Sequence, residues 1–493
     1  MITRFLRGTA LGLAALITPL ASDGVAAQNI EAVLPPLDEE LQSDTLLADA
    51  VLRSSALRFP SILESFEREA AARSDQLSAD GAFDLILEAE YYDRFTGTFS
   101  GGYAEVKATQ AIEPFGARVF GSYRLSDGRF PIYENIYNTN QAGEFKVGAL
   151  FSLLRDRRID SSRFALEDTR LAASQARLDI LLVQLKVQHA ALQAYWRWVA
   201  SGREIEIYEE LLEIAQARAI GLSRQVSSGA MPRIALTENE QNIIRRKTLL
   251  EEAKRNFATA SNSLSYYLRD TAGRLVVPTR DQVPENAQVS ERPTLQALLE
   301  MQRSDLLEDR PELQDLQVAL QRARNKIDLR RNDLQPRLDA TVELSRDFGA
   351  VGDGGPTFDS TDTVVGVTLT VPLQRRQARG RLQRAEAELR EIELRERRVS
   401  DQIEIELANI VANLEAALRL ASLAEEEVEQ AVAMVTAERK RFALGAGDFF
   451  LVNLREESAA DAQIRRVRAD LRGRLAEASF NAAAMNLTAL GLE

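Results

Sequence analysis

The stretch VGALFSLLRDRRIDSSRFALEDTRL, starting at Val147, has a counterpart 218 positions later in VGVTLTVPLQRRQARGRLQRAEAEL, starting at Val365. In both, an apolar and partly β-branched run passes straight into a helical pattern. Gly148 aligns with Gly366, and Arg157 and Arg158 align with Arg375 and Arg376. A strand-to-helix junction that recurs in register indicates internal duplication. The chain is therefore expected to fold as two copies of one unit in which a strand feeds a helix.

The rest of the chain divides around that duplication. Residues 1–27 carry Arg4 and Arg7, the apolar run TALGLAALITPL and the small-residue site Val25-Ala26-Ala27, the pattern of a secretory signal peptide. The first repeat is read at 28–270. It has a helical stretch from about Asp44 to Arg73 interrupted near Pro60, strands within about 83–154, a long helix over about 156–225, a turn at 226–232 and a helix over 233–268. A proline-containing connection fills 271–309. The second repeat, 310–493, opens a helix at RPEL with proline in its first turn, where a missing N–H does no harm. It continues with strands at about 336–373, a long helix at about 378–442, a turn at 443–449 and a helix at 450–490. Each long helix would span ~100 Å at 1.5 Å per residue. The helices 233–268 and 311–335 together approach that length, so an end-to-end stack of those two beside a long helix is expected.

Two periodicities say what these elements pack against. In the second long helix, apolar or small residues recur at 3,4 spacing from Leu382 through Ala385, Ile403, Leu414, Ala421 and Val435 to Phe442, the seam of a coiled coil. Leu394, Ile405, Val411 and Leu418 lie off that seam, so the helix should touch neighbours on two sides, as in a barrel of helices. Between Phe83 and Leu154 the period is two, and this region holds 14 of the chain's aromatic residues, an enrichment that aromatic girdles at a bilayer interface would produce. In the last strand Val365, Val367, Leu369 and Val371 alternate with Val364, Gly366, Thr368 and Thr370, which makes the first set the expected lipid-facing side. No run of about 18 apolar residues follows the signal, so a transmembrane helix is not expected and any crossing would be made by strands.

Composition removes several classes of function. A net charge of −13 without a basic patch disfavours nucleic acid. There is no cysteine and one histidine, His189, inside a long helix, which leaves no triad, no two-histidine metal site and no thiolate chemistry. No enzyme activity, cofactor or metal is expected. Tyr195, Trp196 and Trp198 lie about 40 residues down the first long helix, ~60 Å from the strand end, and are expected to pack between helices rather than form a membrane belt.

Strand, proline, long helix, glycine turn and second helix, duplicated behind a signal peptide, resembles the TolC-like outer-membrane efflux proteins. VGVTLTVPL at 365–373 looks like that family's strand entering its helix, RPEL at 310–313 like its opening of the second repeat, and VSSGAMPRIALTENEQ and FALGAGDFFLVNLREE like its two periplasmic turns. The resemblance implies an α+β, mostly α fold of duplicated helix-strand-strand-helix units. These would form a homotrimeric outer-membrane β-barrel continued by a periplasmic α-helical barrel of coiled-coil type. The implied function is the passive exit duct of a tripartite efflux or type I secretion system, with a periplasmic adaptor, an inner-membrane transporter and outer-membrane lipid as partners. Ser228, Gly229, Pro232, Gly445, Gly447 and Asp448 would then be the tip that meets the adaptor. Arg157, Arg158, Arg375 and Arg376 would sit at the membrane boundary against anionic lipid headgroups, with a solvated start of helix as the equal alternative. At the entrance the family often places acidic residues six and nine positions after the second turn glycine; here Leu451 and Leu454 occupy those places, and Glu238 or Asp448 is the candidate to narrow or charge the opening, against ordinary solvated surface for Glu238 and a helix cap for Asp448. The rival reading is an exported periplasmic coiled-coil structural or adaptor protein without a pore, which would bury the apolar strand face in its own core.

Overall fold

The computed structural model describes residues 37–285, 310–354 and 360–492; the signal peptide, most of the 271–309 connection and part of the GDGGPTF loop lie outside them. Three helices come first, α1 (Leu37–Leu41), α2 (Ala48–Arg58) and α3 (Pro60–Asp80). The break at Pro60 falls where expected, with proline in the first turn of α3, but α3 runs on past Arg73. Four strands follow, β1 (Ile86–Asp93), β2 (Gly101–Ile112), β3 (Ala117–Gly128) and β4 (Glu144–Ser152), then the long α4 (Ser161–Ser227) and α5 (Ile234–Ser265). The second repeat has α6 (Pro311–Asn332), β5 (Arg337–Asp347), β6 (Asp362–Thr370), the long α7 (Arg376–Ala443) and α8 (Phe449–Ala483). The two repeats thus share helix, strands, long helix, turn and helix, and the first carries one extra hairpin.

The six strands among the described residues form one antiparallel sheet in sequence order, with β4 of the first repeat paired to β5 of the second. The duplicated Gly148 and Gly366 both lie in the strand that leads into a long helix. Each junction turns through a non-glycine residue with positive φ, Asp156 at 67° and Arg375 at 48°. Asp156 is held there by Asn332 at the end of α6, whose side-chain amide accepts its backbone N–H and donates to its carboxylate, both at 2.9 Å. Asp160 then caps α4, accepting from the N–H of Ser162 and of Arg163 at 2.9 Å each.

The helices lie as a layer hanging from one end of the sheet. The upper part of α4 is flanked by α3, through Arg68–Asp179 at 2.9 Å, and by α6, through Arg322–Asp168 at 2.8 Å. Its lower part is flanked by α5, where Arg246 donates to the Leu211 carbonyl at 2.7 Å, and by α8, through Arg468–Glu204 at 2.8 Å. On the far side α7 runs beside α6, joined by Lys326–Glu388 at 2.7 Å, and beside α8, joined by Arg465–Glu427 at 2.7 Å. The expected end-to-end stack therefore forms with different members: α6 stands above α8 and α3 above α5. The sequence arithmetic paired 233–268 with 311–335 by length alone, whereas α4 lies between those two.

At mid-height Trp198 and Tyr195 are fully buried among Leu46, Val51, Leu264 and Leu268, and the Tyr195 hydroxyl donates to the Leu46 carbonyl at 3.2 Å. Full burial of a large apolar side chain stabilises by ~1.5–3 kcal/mol, so this cluster anchors the N-terminal helices to α4. The seam of α7 is buried at Ala385, Ile403, Leu414, Ala417, Ala421, Ala424 and Val435. Off the seam, Leu394, Ile405, Leu420 and Leu423 remain exposed in the single chain. α7 also contains an 18-residue window with a mean hydropathy of 1.3, long and apolar enough to cross a membrane, where the sequence alone led to an expectation of none. The window belongs to a helix with its seam packed and a second apolar side left open.

Candidate channel wall and periplasmic tip

The register divides the sheet into two faces. Val365 pairs with Val342, Val342 with Ala149, Ala149 with Val119, Val119 with Gln110, and one step along Tyr123 with Val106 and Val106 with Ala89. Carried across six strands, this face holds Leu87, Ala89 and Tyr91, then Val106, Tyr123, Val147 and Phe151, then Val342 and Leu344, and finally Val365, Val367 and Leu369. It is apolar across the middle of all the strands, with Gln110 near one rim and Asp93, Asp127 and Arg346 near the other. The opposite face starts from Glu90↔Glu105, Glu105↔Arg124, Arg124↔Glu144 and Glu144↔Asp347 and is charged across its width. On it Arg124 sits between Glu144, to which it donates, and Glu105 at 4.0 Å. Strands of nine to twelve residues over most of the sheet are long enough to cross a bilayer at a tilt. Sequence alternation in β6 placed Val365, Val367 and Leu369 on one side, and the register extends that side over the whole sheet; Val371 follows the end of β6 and is exposed.

The four arginines of the repeated junctions lie just beyond the helical end of this wall. Arg157, Arg158 and Arg376 are exposed and Arg375 is half-buried. Neighbouring cations are paired, Arg155 with Asp333 at 3.1 Å and Arg163 with Asp160 at 3.0 Å. Among the described residues none of the four pairs with a carboxylate.

At the other end of the helices the two turns have one geometry. Gly229 has φ 76° and Gly445 φ 72°, and the following N–H reaches back to the last turn of the helix, Ala230 to the Gln225 carbonyl at 2.8 Å and Ala446 to the Arg441 carbonyl at 2.9 Å. Both are Schellman caps, which demand a left-handed residue at that glycine. Gly447 has a different reason: a Cβ there would lie 2.8 Å from the Phe442 nitrogen. Ser228, Pro232 and Asp448 are exposed on these turns. The hairpins are joined beneath the turns by Leu222, Ala235 and Phe449, with Arg218 stacked 5.7 Å from the Phe449 ring centre.

Of the candidate entrance residues, Asp448 caps α8 by accepting from the Phe450 N–H at 3.2 Å. Glu238 and Leu451 are half-buried near the starts of α5 and α8, and Leu454 is exposed. The strongest electrostatic feature of the tip is instead Glu456, whose side chain is 1% exposed. It draws one arginine from each of the other three helices: Arg218 of α4, Arg439 of α7 at 2.9 Å and Arg246 of α5 at 3.5 Å. Burial pushes the Glu456 carboxyl up, but Arg218 and Arg439 outweigh it and hold the group below its ordinary range. Arg218 also donates to Asn453 Oδ1 at 2.6 Å. The sequence shows Glu456 as one of several acidic residues after the second turn. Only its inward position in α8, seven residues past the buried Phe449 and three past the buried Asn453, could have marked it.

His189 is half-buried, with its ring 3.1 Å from Ser479 Oγ and 2.9 Å from Gln193 Nε2, a packing position inside the helical layer.

A sheet with one apolar and one charged face is thus prolonged into a layer of helices some hundred ångströms long. Residues 303–484 match the family model described as outer membrane efflux protein. No curated protein matches the chain by sequence. Among solved structures, the outer membrane protein VceC of Vibrio cholerae is 15% identical with a TM-score of 0.62, over 93% of this chain and 100% of that one. The CmeC outer membrane channel of Campylobacter jejuni is 13% identical with a TM-score of 0.61, over 90% and 86%. The MtrE outer membrane channel of Neisseria gonorrhoeae, in its open state, is 14% identical with a TM-score of 0.60, over 90% and 89%. Over residues 303–484 the chain thus resembles the outer membrane efflux proteins, and over nearly its whole length it shares the fold of these outer-membrane channel structures.

Proposed function

We propose that three copies close edge to edge, β6 of one against β1 of the next, into a barrel that serves as the passive exit duct of a tripartite efflux or type I secretion system. The observation that carries this is the continuous apolar face of a sheet whose outer strands, β1 and β6, are each paired on one side only among the described residues. Unpaired backbone groups cannot remain in hydrocarbon, so an open six-strand sheet with a lipid face must be completed. A direct pairing of β6 with a neighbouring β1 is antiparallel, and three six-strand sheets give eighteen strands, a size at which a barrel leaves an aqueous channel. The same closure would cover Leu394, Ile405 and Leu423 of α7 with the outer faces of α3 and α5, where Phe66 and Ile244 are exposed.

In this reading Val365, Val367, Leu369 and Val371 face lipid. Arg157, Arg158, Arg375 and Arg376 face anionic headgroups where bilayer gives way to periplasm. The turns around Ser228, Gly229, Pro232, Gly445, Gly447 and Asp448 meet the adaptor, which connects the duct to an inner-membrane transporter; Glu238, Leu451 and Leu454 lie at the entrance. Repeat boundaries at 28–270 and 310–493 follow from the same duplication. The test is native mass spectrometry of detergent-extracted protein combined with conductance in planar bilayers. A trimer that forms ion-conducting channels is the expected result, and a monomer extracted with the soluble periplasmic fraction would return the chain to the adaptor reading.

A further inference from the structure

The β3–β4 loop, residues 129–143, joins strands at the end of the sheet away from the helices, and it does not project outward. Its short 3-10 helix, Ile132–Tyr137, folds back onto the charged face. Tyr137 stacks on Tyr103 of β2, ring centres 4.8 Å apart and planes 11° from parallel. Arg124 of β3 lies 5.6 Å from the same ring and donates to the Ile136 carbonyl at 2.9 Å. Tyr103 pairs in register with Ser126, and Arg124 with Glu105 and Glu144, so both anchors belong to the charged face, not the apolar one. The loop is fixed at both shoulders. Phe130 is 4% exposed, and Thr139 exchanges hydrogen bonds with Ser126 at 3.0 Å and 2.7 Å. Arg94 of the β1–β2 loop clamps its middle through Glu134 at 2.6 Å.

With Tyr137 turned to the wall, three large apolar residues of the segment are turned to solvent: Ile132 is 88%, Tyr133 82% and Ile136 72% exposed. A loop built merely to cap strands would not present three large apolar groups to water while spending a stacked tyrosine, an arginine and an ion pair on holding them in place. We propose that this loop is a specificity-determining constriction at the outer mouth of the duct, in which three copies of Ile132, Tyr133 and Ile136 narrow the lumen and line it with apolar surface. The inference rests on the duct reading above. It also gives the extra hairpin a consequence: six strands per copy make a wide barrel, and the inward loop recovers a narrow opening that sorts cargo by size and by polarity.

The test is polymer exclusion in planar bilayers with the full-length protein. Poly(ethylene glycol) of graded size is added on the side of the outer loops, and the largest polymer that still lowers conductance is recorded. Shortening the loop by replacing residues 131–137 with two glycines should raise that size limit from the outer side and leave the limit from the tip side unchanged. As a second measurement in the intact fold, the cysteine-free chain permits Tyr133→Cys; a bulky thiol reagent applied from outside should lower conductance at least twofold. An unchanged size limit in a conducting loop variant, or unaltered conductance after complete labelling of Tyr133→Cys, would overturn the constriction while leaving the duct intact. A wild-type chain that conducts nothing would remove the duct itself, and the constriction with it.

Discussion

Glu456 offers the sharpest test of how the helical tip is held. Glu456→Ala removes the one carboxylate shared by arginines from three helices. The three losses are unequal. Arg439 is 45% exposed, so its pair is a surface interaction of about 0–1 kcal/mol. The Arg218 side chain is 16% and that of Arg246 3% exposed, and stripping the partner from buried guanidinium groups costs about 3–5 kcal/mol. Each keeps one other acceptor, Asn453 Oδ1 for Arg218 and the Leu211 carbonyl for Arg246, which places the cost near the lower end, about 3 kcal/mol. That corresponds to roughly a hundredfold rise in local opening. Hydrogen exchange of the purified protein reads it: amides around Leu211–Leu222, Asn239–Leu250 and Val435–Phe442 should exchange faster by that factor, while the mid-height cluster around Trp198 should be unaffected. Adding Arg246→Met to Glu456→Ala should recover a large part of the protection, because an unpaired buried charge is removed with its partner. A change below about threefold in the single variant, under 1 kcal/mol, would refute the view that Glu456 fastens the tip.

The remaining expectations are shorter. Because the folded-state pKa of Glu456 lies below its ordinary 4.5, its contribution is present above that value and is lost as pH falls through the lower folded-state value; tip protection should stay level from pH 7 to about pH 5 and fall only in stronger acid. Val367→Arg should cost about 2–4 kcal/mol if it faces the bilayer midplane and reduce recovery in the outer-membrane fraction, whereas Val364→Arg on the charged face should insert normally; equal behaviour of the two would contradict the assignment of faces. Gly445→Ala strains a left-handed cap by about 1–3 kcal/mol and should weaken export in a cell-based efflux assay without reducing the amount in the outer membrane. Asp160→Ala, which removes the cap of α4, should cost about 1 kcal/mol and speed exchange over residues 161–164 alone.

How much of this was legible in the sequence follows from which interactions are local. The duplicated junction, the order of elements, the two long helices and the glycine turns all depend on neighbours within a few residues, through periodicity, proline at a helix start and glycine at a cap. They could be read directly, as could the alternation that put Val365, Val367 and Leu369 together. Helix pairing could not be read that way. The lengths of 233–268 and 311–335 suggested a stack, but what decides it is which side of α4 each occupies, and that depends on contacts such as Arg322–Asp168 that are distant in sequence. Glu456 was hidden for the same reason: its three arginines come from α4, α5 and α7, and nothing near it in α8 announces them. The inward fold of the β3–β4 loop depends on Tyr137 reaching Tyr103 of β2, a contact 34 residues apart in sequence that no local pattern announces.

The central claim is that this chain closes with copies of itself into a duct through the outer membrane. Electron cryomicroscopy of the protein extracted from the outer-membrane fraction tests it most directly. The account predicts three-fold particles with six strands from each copy in one continuous barrel, opening without interruption into a cylinder of helices. A single chain whose apolar sheet face is buried in its own core, or a soluble helical rod with no barrel, would contradict it.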